Sequence, residues 1–416
     1  RFMPVSLAAP CRAAPPAATL AGVTDELLTR LAERHGTPLY VYDLDLVAAR
    51  VATLRAALPG ARLRYAVKAN ANGALLRRLA GLGVGAEVIT VGELARALRA
   101  GIPASEALVS GPGQDADLRR LARDADVGLV SLDGPGQWRA WRDELPPTTR
   151  FLVRVRPGFD PGTLPQLATG ARGSKFGLPP GPALELAREV AAAGRLAGLH
   201  VHAGSMIADV DVHAAALASL DALLEALPAG AWTVDAGGGL SVPGFDLAGY
   251  AERIGGWAGE RGVALLLEPG RWLTAEAGVL LTRVLWRKED EPVHWICDAG
   301  MAQLLRPALY GAEHPVRVVR RPGEAGGVPA RGDVDGPLCE NADRLARDRE
   351  LDARPGDLLA VEQAGAYGMA MASSYASDLR PAEVVLEDGV DRLARLRESP
   401  EDLWRLEDAA TVPTRS

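Results

Sequence analysis

Lysine occurs at only three positions, 68, 175 and 288, so 43 of the 46 basic residues are arginine. Where a positive charge alone would serve, this sequence places arginine, whose guanidinium keeps its proton. A lysine can lose its proton and attack a carbonyl. A lysine kept against that bias is a candidate for chemistry that needs an amine. Lys288, in the charged run Arg287-Lys288-Glu289-Asp290, reads as a plain surface residue. Lys68 ends the apolar run Tyr65-Ala66-Val67, where a salt-bridged core lysine is the equal alternative. Three further groups stand at comparable points in the chain. They are His202 in His200-Val201-His202-Ala203-Gly204-Ser205, the triplet Gly237-Gly238-Gly239, and Glu268 in Glu268-Pro269-Gly270-Arg271. Consecutive glycines expose backbone N–H groups that can cradle a phosphate, although most glycine clusters are only turns.

These groups need a scaffold that brings them together. Short β-rich runs alternate with amphipathic helical stretches such as Gly92–Ala100 and Pro182–Ala193. The runs are Leu63–Val67, Gly85–Ile89, Ala107–Ser110, Val127–Leu132, Phe151–Val155, Leu199–Val201, Trp232–Val234 and Ala264–Leu267. Apolar strands joined by helices imply a parallel sheet buried on both faces. Eight such units predict an α/β fold with a closed (β/α)8 TIM-type barrel, with an open doubly wound sheet as second choice. In a barrel, Lys68, His202, the glycine triplet and Glu268 all follow strands, at the end where active sites form. Co-location at one mouth gives each of them more weight than it has alone.

After about residue 285 the rhythm changes to short runs between Gly/Pro/Asp turns: Val293–Cys297, Pro315–Val319, Leu358–Val361 and Ala382–Leu386. This predicts a C-terminal, mainly antiparallel β domain. The early run Pro38–Tyr42 is a candidate to pair with it. The expected organisation is a flexible segment at 1–22, a barrel over 46–284, and a β unit from 23–45 and 285–416. Met3 is the expected start.

Composition bounds the partners. A hydrophobic fraction of 48% and a charged fraction of 24% suit a globular enzyme. The net charge of -7, with no basic stripe, argues against nucleic acid. No run approaches the roughly 18 apolar residues of a membrane helix. The three cysteines, Cys11, Cys297 and Cys339, are widely spaced and odd in number. They read as free thiols in a reducing compartment, so the cytoplasm is expected.

Segments along nearly the whole chain resemble one family. They include Pro38-Leu39-Tyr40-Val41, Tyr65-Ala66-Val67-Lys68-Ala69-Asn70, Gly173-Ser174-Lys175-Phe176-Gly177 and His200-Val201-His202-Ala203-Gly204-Ser205. Further on come Gly237-Gly238-Gly239-Leu240, Glu268-Pro269-Gly270-Arg271, Arg306-Pro307-Ala308-Leu309-Tyr310-Gly311, Gly336-Pro337-Leu338-Cys339-Glu340 and Ala364-Gly365-Ala366-Tyr367-Gly368. In that order they resemble the diaminopimelate decarboxylases, pyridoxal 5'-phosphate enzymes of the alanine-racemase-like fold. The resemblance implies decarboxylation of meso-2,6-diaminopimelate to L-lysine. It implies that Lys68 carries the cofactor covalently, Glu268 sits against the pyridine nitrogen and His202 stacks on the ring. Ser205, Gly238, Gly239, Gly270 and Tyr367 would surround the phosphate, and Arg271 would also bind the cofactor. Arg271, Arg306 and Tyr310 would grip the distal carboxylate, with Glu340 at the distal amino group and Tyr367 also beside the substrate. Cys339 would be the proton donor, reaching the neighbouring subunit's site in an obligate homodimer. No metal is implied. Without the resemblance, a lone cysteine in a β domain reads as a small buried hydrophobe, and Cys11 and Cys297 keep that reading.

The sequence departs from the family pattern at Ala203, Met206, Asn341, Gln114, Ser374 and Arg156. None of these carries a direct chemical role above. A paralogue acting on a related amino acid therefore stays open. So do a racemase, a non-catalytic protein of the same fold, and a barrel enzyme that binds phosphate without pyridoxal.

Overall fold

The computed structural model describes residues 23–160, 162–163 and 169–410. The segment expected to be flexible, with Met3 and Cys11, lies outside the described residues. The first strand, β1 (Leu39–Asp43), belongs to a sheet outside the barrel. The next eight are β2 (Arg62–Ala66), β3 (Gly85–Val88), β4 (Ala107–Val109), β5 (Leu129–Leu132), β6 (Arg150–Val155), β7 (Leu196–Val201), β8 (Thr233–Asp235) and β9 (Ala264–Leu267). Each pairs parallel with the next, and β9 closes on β2. Every run expected to form a barrel strand falls on one of these, with ends shifted by a few residues.

Period-2 alternation sorts the strand residues between two environments. Val109, Val130, Val153 and Leu265 belong to the main core. Their neighbours Leu108, Leu129, Leu152 and Leu266 form a separate apolar cluster with Ala197. Two layers with opposite parity mean that the first set meets the helices and the second fills the barrel. One step further along the inward parity the residues turn polar. Glu87, Ser131, Arg154, His200, Asp235 and Glu268 are all buried. The barrel is thus floored by leucine and topped by charge.

A second sheet of nine strands lies beside it. It comprises β1, β10 (Gly278–Lys288), β11 (Val293–Cys297), β12 (Val316–Val319), β13 (Ala330–Asp335), β14 (Arg344–Leu351), β15 (Leu358–Val361), β16 (Ala382–Glu387) and β17 (Val390–Arg395). Its first C-terminal strand begins at Gly278, ahead of residue 285. Most ladders are antiparallel as expected, but β1–β16 and β11–β13 are parallel, so the sheet is mixed. Parallel neighbours need a long connection between them. For β1 and β16 that connection is the entire barrel. All five residues of β1 are buried, which suits a central strand paired on both edges.

The two parts are stitched at the loop after β2. Asn70 Nδ2 donates to the Gly365 carbonyl at 3.0 Å, and Tyr367 N–H donates to the Ala69 carbonyl at 2.7 Å. Asn72 Nδ2 donates to Glu383 Oε2 at 2.6 Å. Lys68 sits inside this clamped loop.

Candidate active site

Lys68 lies on a single 3-10 turn, Val67–Ala69, directly after β2. The turn is held from below, where Tyr65 Oη donates to the Asn70 carbonyl at 3.0 Å. The lysine is half-buried and its Nζ stands 2.5 Å from Glu87 Oε2. Glu87 in turn accepts from the Ser110 hydroxyl. Burial works against the ammonium, but Glu87, Glu268 and Tyr367 outweigh it and hold the amine above its ordinary value. The salt-bridge reading of Lys68 holds, and the residue is also open to chemistry. It is salt-bridged, and it faces a pocket.

That pocket, at the C-terminal end of the strands, is lined by Lys68, His202, Ser205, Gly238, Gly239, Glu268, Gly270, Arg271 and Tyr367. The nine residues expected to surround the cofactor thus come together. His202, after β7, accepts at Nδ1 from the Gly238 N–H at 3.1 Å. A nitrogen that accepts is unprotonated, so the ring is neutral with its proton on Nε2. Burial first, then the charges of Arg154 and Lys68, push its pKa well below the usual histidine value. The glycines are there because nothing larger fits. A Cβ on Gly237 would strike His202, one on Gly238 the Glu268 carbonyl, and one on Gly239 the Gly204 carbonyl. Gly237 and Gly239 also have φ of +68° and +93°, which side chains disfavour.

Glu268 follows β9 and is buried. Its Oε1 has no hydrogen-bond partner among the described residues, and His200 Nε2 is 3.8 Å away. Burial, then Asp235 and Glu87, raise its carboxyl well above the ordinary range. Asp235 is raised to about 7, again by burial first. His200 is oriented from behind by Ser131, whose Oγ lies 2.8 Å from Nδ1.

The expected substrate residues divide into two groups. Arg271 stacks on the Tyr367 ring, its Cζ 4.5 Å from the centroid. Arg306 and Tyr310 lie one turn apart on the short helix Arg306–Tyr310 and interact electrostatically with Arg271. Among the described residues neither Arg271 nor Arg306 has a carboxylate ion-pair partner. Burial and its neighbour Arg271 push Arg306 down to about 10. Cys339 and Glu340 are elsewhere. Both are exposed on the loop between β13 and β14, outside the pocket lining, and Glu340 accepts from the Tyr375 hydroxyl at 2.9 Å. Cys297 is a buried free thiol in β11, and Lys288 pairs with Asp290 on the surface at 3.3 Å.

Glu87, Ser131, Arg154, His200 and Asp235 escaped the sequence reading. The signal was available: each is a polar residue at the inward parity of an otherwise apolar strand. His200, Asp235 and Glu268 also place ligand-type atoms within 4.8 Å of one another. Arg154 and Lys68 supply the compensating positive charge beside them.

Residues 44–275 match the model of a family described as pyridoxal-dependent decarboxylase, pyridoxal binding domain. A diaminopimelate decarboxylase of Deinococcus radiodurans is 40% identical over 90% of this chain and 97% of its own. One of Aquifex aeolicus is 35% identical over 89% of this chain and 92% of its own. The crystal structure of diaminopimelate decarboxylase from Helicobacter pylori complexed with L-lysine superposes with a TM-score of 0.82 at 34% identity, covering 92% of this chain and all of that one.

Proposed function

The chain belongs to the pyridoxal-dependent decarboxylase family, and from that premise we propose that it removes one carboxylate of meso-2,6-diaminopimelate, leaving L-lysine and carbon dioxide. The observation that carries the substrate is the pair Arg271 and Arg306. Two partly desolvated guanidiniums, near each other and without a carboxylate partner among the described residues, are unfavourable unless an anion completes them. Arginine's planar fork suits a carboxylate. A substrate ending in a bare ammonium would add a third positive charge there.

The residues present fit pyridoxal 5'-phosphate. Glu268 Oε1 is a buried acceptor without a partner among the described residues, suited to a protonated ring nitrogen. Gly238 and Gly239 line the same pocket with backbone alone. Lys68 offers its amine across the same pocket. When bound, the cofactor supplies a conjugated, protonated ring that accepts the electron pair left as carbon dioxide departs.

The chain's own groups do the rest. Lys68 would hold the cofactor, and Glu87, 2.5 Å from its Nζ, positions that amine in the pocket. Glu268 keeps a proton at the ring nitrogen. His202, neutral, offers a flat face for the ring. Ser205, Gly238, Gly239, Gly270 and Tyr367 would hold the phosphate, with Arg271 beside them at the cofactor. Arg271, Arg306 and Tyr310 would fix the far carboxylate, which would orient the bond to be broken. Cys339 would donate the proton that replaces the lost carboxylate at Cα, and Glu340 would meet the distal amino group. Because both are exposed away from the chain's own pocket, they would serve the pocket of a second copy in a homodimer. No described helix is long and apolar enough to cross a membrane, and the expected setting is the cytoplasm.

The test is carbon dioxide release from meso-diaminopimelate, ornithine, arginine and lysine. Turnover of diaminopimelate is expected to exceed the others by at least about 100-fold, the range a buried polar contact commands. Preference for ornithine or lysine would overturn the assignment.

A further inference from the structure

The loop after the helix Arg306–Tyr310 carries His314, which is almost fully buried. Its Nδ1 lies 2.9 Å from the Glu362 carbonyl oxygen, and its Nε2 lies 2.9 Å from Arg306 Nη1. The two neighbours dictate the same tautomer. A carbonyl only accepts, so Nδ1 must carry the proton. A guanidinium only donates, so Nε2 must be bare. We propose that His314 is the positioning residue for Arg306: a neutral imidazole, anchored on the β15 side by the Glu362 carbonyl, that aims the guanidinium at the substrate's second carboxylate.

Charge explains why a histidine stands here rather than an acid. A carboxylate in this place would satisfy Arg306 outright and compete with the substrate. An imidazole acceptor holds one N–H and leaves the positive charge uncompensated. Burial, and then Arg306 itself, keep the ring neutral by lowering its pKa to about 4. An apolar residue would leave a flexible side chain to be ordered at every binding event, an entropy loss that lowers affinity. The sequence carries the arrangement at a spacing of eight residues, Arg306 to His314, across Gly311, whose φ of +61° ends the helix and turns the chain back.

The inference rests on the reading that Arg306 takes the distal carboxylate, and the test separates the two. L-lysine, the product, keeps that carboxylate; cadaverine, the same chain without it, does not. Dissociation constants for both are measured by calorimetry on holoenzyme. His314→Asn preserves an amide at the level of Nδ1 but cannot reach Arg306, whereas His314→Gln places an acceptor at the level of Nε2. His314→Asn is expected to weaken L-lysine about tenfold and raise KM for diaminopimelate equally, with kcat within about threefold and cadaverine unchanged. His314→Gln is expected to keep L-lysine within about threefold of the parent. If Arg306→Ala weakens L-lysine and His314→Asn does not, the positioning role falls alone. If Arg306→Ala leaves L-lysine unchanged, the distal-carboxylate reading falls and takes this inference with it. Equal losses for L-lysine and cadaverine also overturn it. Nitrogen-15 spectra of histidine-labelled, unsubstituted enzyme give an answer that no folding failure can block. A His314 protonated at Nε2 sinks the proposal, and one protonated at Nδ1 supports it.

Discussion

The two ends of this site are built on opposite terms. At the barrel end the groups are held by their surroundings: Lys68 faces Glu87, His202 accepts from the glycine N–H, and Glu268 stands among His200 and Asp235 with its Oε1 open. These groups come from strand ends, whose positions the barrel's hydrogen bonds fix. At the distal end two arginines have no carboxylate partner among the described residues, and the loop with Cys339 and Glu340 points away from the chain's own pocket. Arg306, Cys339 and Glu340 sit on a short helix and a loop of the second sheet, whereas Arg271 reaches across from the turn after the last barrel strand. The contrast teaches a division of labour. The barrel holds a reactive group that every member of such a fold could use, while the second sheet decides what is brought to it.

Four experiments could break that contrast. The largest effect is expected from Lys68→Ala. Losing the covalent link should lower carbon dioxide release by at least about 10³-fold and abolish the absorbance that depends on the lysine–cofactor bond. Full activity would mean that the amine is only structural. Next, the distal end is expected to need a second copy. Lys68→Ala and Cys339→Ala chains, each inactive alone, should regain about a quarter of parental activity when mixed, because half of random dimers carry one intact site. No recovery in mixed dimers would place Cys339 at its own chain's site or outside the reaction.

A smaller effect tests the barrel's internal pairing. Glu87→Gln is expected to slow turnover about tenfold, because the Lys68 amine loses the contact that positions it. It should also move the acid limb of the pH–rate profile to lower pH, since Lys68 and Glu268 both lose a carboxylate that favours their protonated forms. An unchanged profile would reduce Glu87 to packing. The smallest test is one where the two ends should behave alike. His213, packed against Phe245 and Tyr250 near the barrel, and His314 at the distal end both have folded pKa values lowered to about 4, chiefly by burial. Lowered values favour the neutral rings, so their stabilisation is full above the unfolded value of 6.5 and is lost as pH falls toward 4. Each would contribute up to about 3 kcal/mol of acid sensitivity. Urea titrations of the parent, His213→Leu and His314→Gln at pH 7.5 and pH 5 measure it. Acid sensitivity undiminished in either variant would contradict that share.

How much was legible in the sequence follows the same line. The eight barrel strands show because local alternation of apolar runs and helices is written residue by residue. Lys68 shows because of arginine elsewhere. Glu87 and Asp235 were missed although the cue was local: a charge at an inward position of an apolar strand needs partners, and parity alone names them. That the early run joins the second sheet was readable, but not that β16 is its parallel neighbour, since neither strand carries a mark of its partner 340-odd positions away in the chain. The placement of Cys339 and Glu340 had no local signal either. Their role depends on a surface that a single chain does not contain.

That first strand has a consequence for how the molecule comes into being. β1 is made early, yet its neighbours β10 and β16 emerge after the whole barrel and nearly the whole chain respectively. Until β10 arrives a buried-type strand, Leu39-Tyr40-Val41-Tyr42, travels with both edges open, and its second edge stays open until β16 follows. Such edges invite pairing with other chains. Synthesis that stops before Ala382 would therefore leave a barrel that can close and a strand that cannot, and the enzyme's yield in a cell would hinge on the last few dozen residues arriving promptly.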